Sequence, residues 1–400
     1  MLKTFFNGAL LGAREKGEEL SYVSRLWVRS SVTKAFSAEQ RLLDRFLGAF
    51  KCSKVYVELE RYGVQYINTY SLNKQVSQQQ HDDGGERSSA VVFTHGFGGG
   101  SGMFYHILNE LAALEYSNVF AIDWLGMGRS SRPTSGLMSG QGYPQRSLFS
   151  LRRQKQEVAD ECIDYFVESL EKWREEMKIS KLQLVGHSLG GYLSARYAIA
   201  YPDRVEKLVL LSPVGVPELP EEVDDDKVPE FVKRNKLVTG IIGAFWSLNV
   251  TPQSFVRFIG PWGLDAVQSM VKRRFSVRGM SEEEMEIIAD YLYHINVQRA
   301  SGEYALNALL VPVMKAENPG VYARRSLAQD LVEKLPRSIP LVFLYGDRDW
   351  MFHPEVKDIV SRMPNAELQF VSNSGHHVYL DHPAEFKRIM AGSTGILERT

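Results

Sequence analysis

The sequence predicts an α/β fold, a doubly wound and mostly parallel sheet with an inserted helical cap. Three observations predict it. Short continuous apolar runs recur from residue 90 onward: "AVVFTHGF" (90–97), "NVFAIDWLG" (118–126), "KLQLVGHS" (181–188), "VEKLVLLS" (205–212), "IPLVFLYG" (339–346) and "AELQFVS" (366–372). Such runs read as strands covered on both faces. Helix-like stretches lie between them, and strand–helix alternation implies parallel strands joined by crossovers. The alternation then breaks between about 214 and 337, where helical patterns, Trp, Phe and basic residues gather, as expected of a cap set above the sheet.

The elements follow in order. Residues 1–50 read as an N-terminal helical segment, with Ser37 and Gln40 in the spacing of a capping box. "VYVELERYGVQYINTY" (55–70) alternates and is rich in Val and Tyr, so it reads as one or two strands with a turn at Gly63. The polar tract 73–89 is a solvated loop, and 134–150 is a second loop insertion. "QEVADECIDYFVESLEKWREEM" (156–177) carries Val158, Cys162, Phe166, Leu170 and Trp173 on one helical stripe, which makes Cys162 a core residue. The resulting division is an N-terminal segment 1–50, a core of 51–213 and 338–400, and a cap of 214–337.

Bulk properties exclude several functions. Four hundred residues suffice for a large core. A formal net charge of −1 gives no sign of nucleic-acid binding. The two cysteines, Cys52 and Cys162, make neither a disulfide framework nor a metal cluster, and they fit a reducing compartment. No metal or cofactor is expected. No apolar run reaches the roughly 20 residues needed to span a bilayer; the longest, 237–250, contains two glycines. The first twenty residues are a poor secretory signal and a poor mitochondrial presequence, since Glu15, Glu18 and Glu19 interrupt the basic residues. They read as a surface helix or a membrane-touching amphipathic segment.

The chemistry is concentrated in "LQLVGHSLGGYL" (182–193). Ser188 stands at the end of a strand-like run with Gly186 and Gly190 two positions away on either side. A nucleophile lifted out of a sharp strand-to-helix turn requires small neighbours there, and the following helix N-terminus favours developing negative charge. A serine hydroxyl needs a base. His376 in "SGHHVYLDHP" (374–383) is placed for that role just after the last strand, with His377 as its rival. The base needs an orienting carboxylate. No acid ends the 205–212 run, but "GDRDW" after the next one offers Asp349, preferred for reach, and Asp347. The order Ser188, Asp349, His376 is that of α/β-hydrolases. The glycine-rich "THGFGGGSGMF" (94–104) supplies an oxyanion hole from the Phe97 amide, together with the amide of Leu189. His95 reads as a structural hydrogen-bonding residue, and "DWLGMGRSSRP" (123–133) as a loop that shapes the site floor. In the cap, Phe245, Trp246, Phe255, Phe258 and Trp262 are candidates to line an acyl-chain surface. The basic "VKRRFSVRG" (271–279) reads either as a phosphate or anionic-membrane contact or as a solvated face preceding the acidic "SEEEME".

These residues resemble a known family, the α/β-hydrolase-domain proteins four and five of animals with their plant and yeast relatives. The resemblance is carried by "FTHGFGGGSGMFYHILNELA", "VFAIDWLGMGRSSRP", "LVGHSLGGYLSARYA", "FIGPWG", "YLYHINVQRASGEYAL" and "GHHVYLDHP", spread over most of residues 90–390. It implies lipid chemistry: deacylation of phospholipids and lysophospholipids, cardiolipin remodelling, or acylation of lysophosphatidic acid with acyl-CoA as donor. One animal member has Asn at the elbow and acts as a lipase co-activator, a non-catalytic role that the retained Ser188 argues against. The family's acyltransferase motif, His followed by Asp five residues on, matches His376 and Asp381; Asp381 also reads as a helix N-cap. The resemblance implies a peripheral position on membranes or lipid droplets on the cytoplasmic side, with a mitochondrial location as the alternative.

Overall fold

The computed structural model describes residues 27–72, 87–113, 118–139, 151–221, 249–275, 279–314 and 318–392, together with 240, 243, 244 and 246. Residues 1–26, the tract 73–86, all of 140–150, and most of 237–248 including Phe245 lie outside the described residues.

The first described helix is α1 (Val32–Phe46). Its cap is Ser31, whose side chain accepts the Lys34 N–H, so the helix starts earlier than the Ser37–Gln40 pattern predicts. That pattern occurs inside the helix, because Ser31 already satisfies the free amides of the first turn. Strands β1 (Phe50–Leu59) and β2 (Gly63–Leu72) form a hairpin whose last pair is Leu59 with Gly63. Gly63 turns the corner with φ +65°, which a side chain would oppose.

The sheet has eight strands in the order β1-β2-β4-β3-β5-β6-β9-β10, with β3 at Arg87–Thr94, β4 at Val119–Ile122, β5 at Ile179–His187, β6 at Val205–Leu211, β9 at Leu341–Gly346 and β10 at Ala366–Val371. From β4 to β10 every pair is parallel, and the β1–β2 hairpin joins antiparallel to β4. The crossovers include α2 (Tyr105–Ala113), α3 (Leu151–Glu176) and α4 (Leu189–Ala200). Period-two side chains divide the core into two layers. Val92, Leu184, Leu208 and Phe343 face a cluster with Cys162, Phe166, Leu170 and Trp173 of α3. Val91, Phe93, Val185 and Val209 face the other cluster, with Leu42 and Leu43 of α1.

Between β6 and β9 lies the helical insertion: α5 (Pro252–Phe258), α6 (Gly263–Phe275), α7 (Glu282–Asn296) and α8 (Ala305–Leu309), then the separate hairpin β7 (Leu310–Val313) with β8 (Gly320–Ala323), and α9 (Ala328–Lys334). Helix α7 opens with a complete capping box of Ser281 and Glu284. Val267, Val271 and Phe275 of α6 share a cluster with Met285, Ile288 and Leu292 of α7, and α1 packs on α7 as well. The chain ends with α10 (Glu355–Arg362), the short α11 (Val378–Asp381) and α12 (Pro383–Ala391). Among the described residues, no helix is long and apolar enough to cross a membrane.

Candidate active site

Four loops meet at the carboxyl edge of the parallel strands, the edge where α/β sheets place their ligand sites. They follow β3, β5, β9 and β10. Ser188 sits between β5 and α4 with φ +54° and ψ −115°, a strained conformation for a residue with a side chain. Its backbone is held on both sides: its N–H donates to the Leu211 carbonyl at 2.9 Å and its carbonyl accepts the Tyr192 N–H at 3.1 Å. The flanking glycines are obligatory. A Cβ on Gly186 would fall 2.6 Å from the Gly190 carbonyl oxygen, and one on Gly190 would fall 2.4 Å from the Thr94 carbonyl oxygen.

Asp349 follows β9 and His376 follows β10. His376 Nδ1 and Asp349 Oδ1 lie 3.2 Å apart, and the same oxygen accepts the Met351 N–H at 3.0 Å. Burial works against the charge on Asp349, but the hydrogen bond and positive charge of His376 outweigh it and hold the carboxyl below the usual range. Asp347 is engaged elsewhere: its exposed carboxylate accepts the N–H groups of Asn373 and Ser374, both at 3.0 Å. The neighbouring His377 faces the cap, with Nδ1 3.5 Å from Arg274 Nη2.

The glycine-rich loop after β3 lies directly against Ser188. A Cβ on Gly96 would come within 2.9 Å of Ser188 Cβ, so Phe97 follows a residue in contact with the serine. Leu189 begins α4. His95 is fully buried: Nδ1 donates to the Gly96 carbonyl at 2.8 Å, and Nε2 accepts the Trp124 N–H at 3.1 Å. Burial depresses its pKa, which fits this neutral tautomer. The 123–133 loop braces this region from below. Asp123 accepts from the Ser101 N–H at 2.7 Å and from Asn68 Nδ2 and the Arg129 N–H, each at 2.9 Å.

Sequence reasoning missed His187. Its Nε2 donates to the His376 carbonyl at 2.8 Å, and its Nδ1 faces the Tyr379 hydroxyl at 3.4 Å. Burial, and then the nearby His376, push its pKa down to about 3. The one sequence signal was its place directly before Ser188.

One expectation is corrected. Asp381 is not the cap of the last helix: that role belongs to His382, whose ring accepts the Glu385 N–H, while Asp381 ends α11. Its carboxylate instead takes Arg274 in a fork, at 3.1 and 3.0 Å, and the Gly375 N–H at 2.7 Å. Of the candidates for an acyl-chain surface, Phe255, Phe258 and Trp262 are 54%, 49% and 65% exposed. Short helices carry too few turns for sequence to say which face is outward. Trp246 is the exception, packed on the core with Nε1 donating to the Leu310 carbonyl at 3.2 Å. Among the described residues, no group of three or more His, Cys, Asp or Glu side chains is placed to hold a metal.

This arrangement has parts used in acyl transfer: a strained serine, a histidine paired with a carboxylate, and a glycine-rich loop packed close to that serine. Comparison with known proteins points the same way. The sequence model described as alpha/beta hydrolase fold matches residues 89–383. A 1-acylglycerol-3-phosphate O-acyltransferase of Arabidopsis thaliana is 29% identical over 369 residues, spanning 90% of this chain and 80% of that protein. A human (lyso)-N-acylphosphatidylethanolamine lipase is 32% identical over 339 residues, spanning 82% and 86%. Among solved structures, the carboxylesterase CesB of Bacillus subtilis matches with a TM-score of 0.52 at 16% identity, covering 91% of this chain and 98% of that one, a likeness of fold.

Proposed function

Because the chain belongs to the α/β hydrolase fold family, with relatives named for lipid hydrolysis and acyl transfer, we propose that it is a serine acyl hydrolase of phospholipids or lysophospholipids. The observation that carries this reading is the Asp349–His376 pair at 3.2 Å beside a strained Ser188.

His376 takes the Ser188 proton as the hydroxyl oxygen attacks the acyl carbonyl. The amides of Phe97 and Leu189 receive the oxyanion; one such donor is worth about 3 kcal/mol of barrier. Asp349, ionised, holds the imidazole with Nδ1–H toward it and stabilises the imidazolium. Collapse of the tetrahedral species expels the lyso-product alcohol, which takes the proton from His376. Water, activated by the same histidine, then attacks the acyl-enzyme and releases the fatty acid.

A second reading shares the acyl-enzyme but changes donor and acceptor: acylation of Ser188 then expels the thiol of CoA, which takes the proton from His376. If a lysophosphatidic acid hydroxyl replaces water and acyl-CoA supplies the chain, the product is phosphatidic acid. The name of the Arabidopsis relative favours keeping this reading. We place the protein at a lipid surface, on the cytoplasmic side of a membrane or lipid droplet, with mitochondria as the alternative. In support, Trp27, Phe255, Phe258 and Trp262 are exposed, and Trp27 Nε1 donates to the Phe258 carbonyl at 3.1 Å.

The test is fluorophosphonate labelling of the intact protein. Label on the wild type and none on Ser188→Ala supports catalysis; equal or absent label favours a non-catalytic co-activator. Incubation with lysophosphatidic acid and labelled acyl-CoA then separates the two reactions, since phosphatidic acid reports transfer and free fatty acid reports hydrolysis.

A further inference from the structure

Two polar struts run from the helical insertion into the loops that carry the reaction. Asn296, the last residue of α7, donates through Nδ2 to the Gly98 carbonyl at 2.7 Å, across 198 residues of sequence. Gly98 has φ +72° and directly follows Phe97, so this bond fixes the unusual turn of the loop that presents the Phe97 amide. The amide of Asn296 cannot reverse without penalty, because its Oδ1 accepts Gln253 Nε2 at 3.0 Å and Nδ2 also reaches the Leu292 carbonyl at 2.8 Å. Gln253 is itself buried on α5. Arg257, from the same helix, donates to the Asn296 carbonyl at 3.2 Å and pairs with Glu303, which anchors the end of α7.

The second strut starts on α6. Arg274 forks onto both oxygens of Asp381, and Asp381 Oδ2 accepts the N–H of Gly375, the residue before His376. One helical pair, α6 with α7, therefore grips the loop of the oxyanion hole at one end and the loop of the base at the other.

We propose that Asn296 and Arg274 are positioning residues through which the α6–α7 pair sets the oxyanion hole and the base, so that the site is competent only while the insertion is seated. The proposal rests on the serine acyl-enzyme reading and deepens it. It also gives Asp381 a part in the His–Asp spacing that requires no contact with an acyl acceptor: it is the link between Arg274 and the His376 loop. Displacement of the insertion would disturb both loops together.

The test uses the full chain with a short-chain p-nitrophenyl ester. Readouts are kcat, KM, the rate of fluorophosphonate labelling, thermal midpoint, and affinity for a trifluoromethyl ketone, whose adduct with Ser188 carries an oxyanion. Asn296→Asp presents an acceptor to the Gly98 carbonyl and pushes the loop away. Expected are losses in kcat and labelling rate of up to about 100-fold, the range for misplacement by about 1 Å. Ketone affinity should fall in step, with KM within about twofold. Arg274→Met should lower kcat and shift the acidic limb of the pH–rate profile, and Arg274→Lys should restore part of both. Gln253→Leu, which frees the Asn296 amide without removing it, serves if Asn296→Asp does not fold. Wild-type labelling rate and ketone affinity in a folded Asn296 or Gln253 variant would overturn the proposal, as would a kcat loss matched by a KM rise with ketone affinity intact. Failure of the wild type to label at all rejects the acyl-enzyme reading on which the proposal stands.

Discussion

His187 Nε2 donates to the carbonyl oxygen of His376 across 2.8 Å, and the two imidazole rings lie 4.8 Å apart. The residue before Ser188 thus holds the main chain of the residue proposed as base. This bond crosses from the end of β5 to the loop after β10, strands separated in the sheet by β6 and β9. It requires a proton on Nε2, and burial keeps the ring neutral, leaving Nδ1 to accept from Tyr379.

That neutral state has a consequence for stability. Burial lowers the His187 pKa from about 6.5 to about 3. Between these values the unfolded chain binds one more proton at this site than the native protein, so stability rises with pH across the window and is fully present above about 6.5. The expected slope is about 1.4 kcal/mol per pH unit for one such histidine. Buried His95, also depressed, adds in the same direction. Urea denaturation from pH 4 to 7 should show the rise, and His187→Gln should make it shallower. A variant with an unchanged slope would remove His187 from the account.

The two aspartates after β9 give a paired prediction. Asp349→Asn keeps the shape but lets the amide donate toward His376 Nδ1, which favours the wrong tautomer; kcat should fall roughly ten-thousand-fold, as carboxylate-to-amide changes do in serine triads. The lowered pKa of Asp349 also means that its pairing stabilises the fold above the ordinary carboxylate range and is lost as pH falls through its depressed value. Asp347→Asn touches only the Asn373 and Ser374 amides. It should change kcat less than about tenfold while lowering stability by about 1 kcal/mol. Equal loss in both variants would contradict the assignment.

The outcome shows what a linear pattern carries. The runs that became β3 to β6, β9 and β10 were legible because strands buried on both faces leave no polar positions to confuse them. Ser188 was legible because the tight elbow dictates glycine at 186 and 190. Asp349 and His376 stood out by their positions after strands, while the pairing of those two, with Asp347 turned to the Asn373 and Ser374 amides and His377 to Arg274, is visible only in three dimensions. What stayed hidden is pairing across topology. Arg274 meets Asp381 over 107 residues and Asn296 meets Gly98 over 198, distances at which no spacing rule operates. Asp381 was misread for the opposite reason: its local setting before "HPAEF" looked like a cap, yet His382 supplied the ring nitrogen first.

The elbow itself makes a sharp stability prediction. Gly190→Ala places a methyl group 2.4 Å from the Thr94 carbonyl oxygen and 2.6 Å from that of His95. These are backbone atoms of β3 and the following loop, so they cannot rotate away. The strand or the start of α4 must move, at a cost of about 1–3 kcal/mol or more. Because the same shift displaces the Leu189 amide, fluorophosphonate labelling should fall further than the loss of folded protein explains. Circular dichroism melts paired with labelling rates on the folded fraction check this.

Arg132 supports the most demanding prediction about the scaffold. Its guanidinium is spent on backbone carbonyls: Nη1 donates to Gly126 at 3.1 Å and Arg299 at 2.9 Å, and Nη2 donates to Gly128 and Ile295, both at 2.8 Å. One side chain therefore joins the 123–133 loop to the end of α7, next to Asn296. Burial lowers its pKa to about 10, still far above neutrality, so the charge persists. Arg132→Met fills similar volume but removes the side-chain donor from four carbonyls, of which Gly126 keeps the Gly302 N–H at 3.0 Å. Leaving buried acceptors unpaired costs about 1–3 kcal/mol, and that loss should appear in the urea midpoint. Arg132→Lys keeps the charge but lacks the planar fork that reaches four oxygens, so it should recover only part of the stability. A Met variant as stable as wild type would mean that Arg257 and the Asn296 bonds hold the α7 end without Arg132.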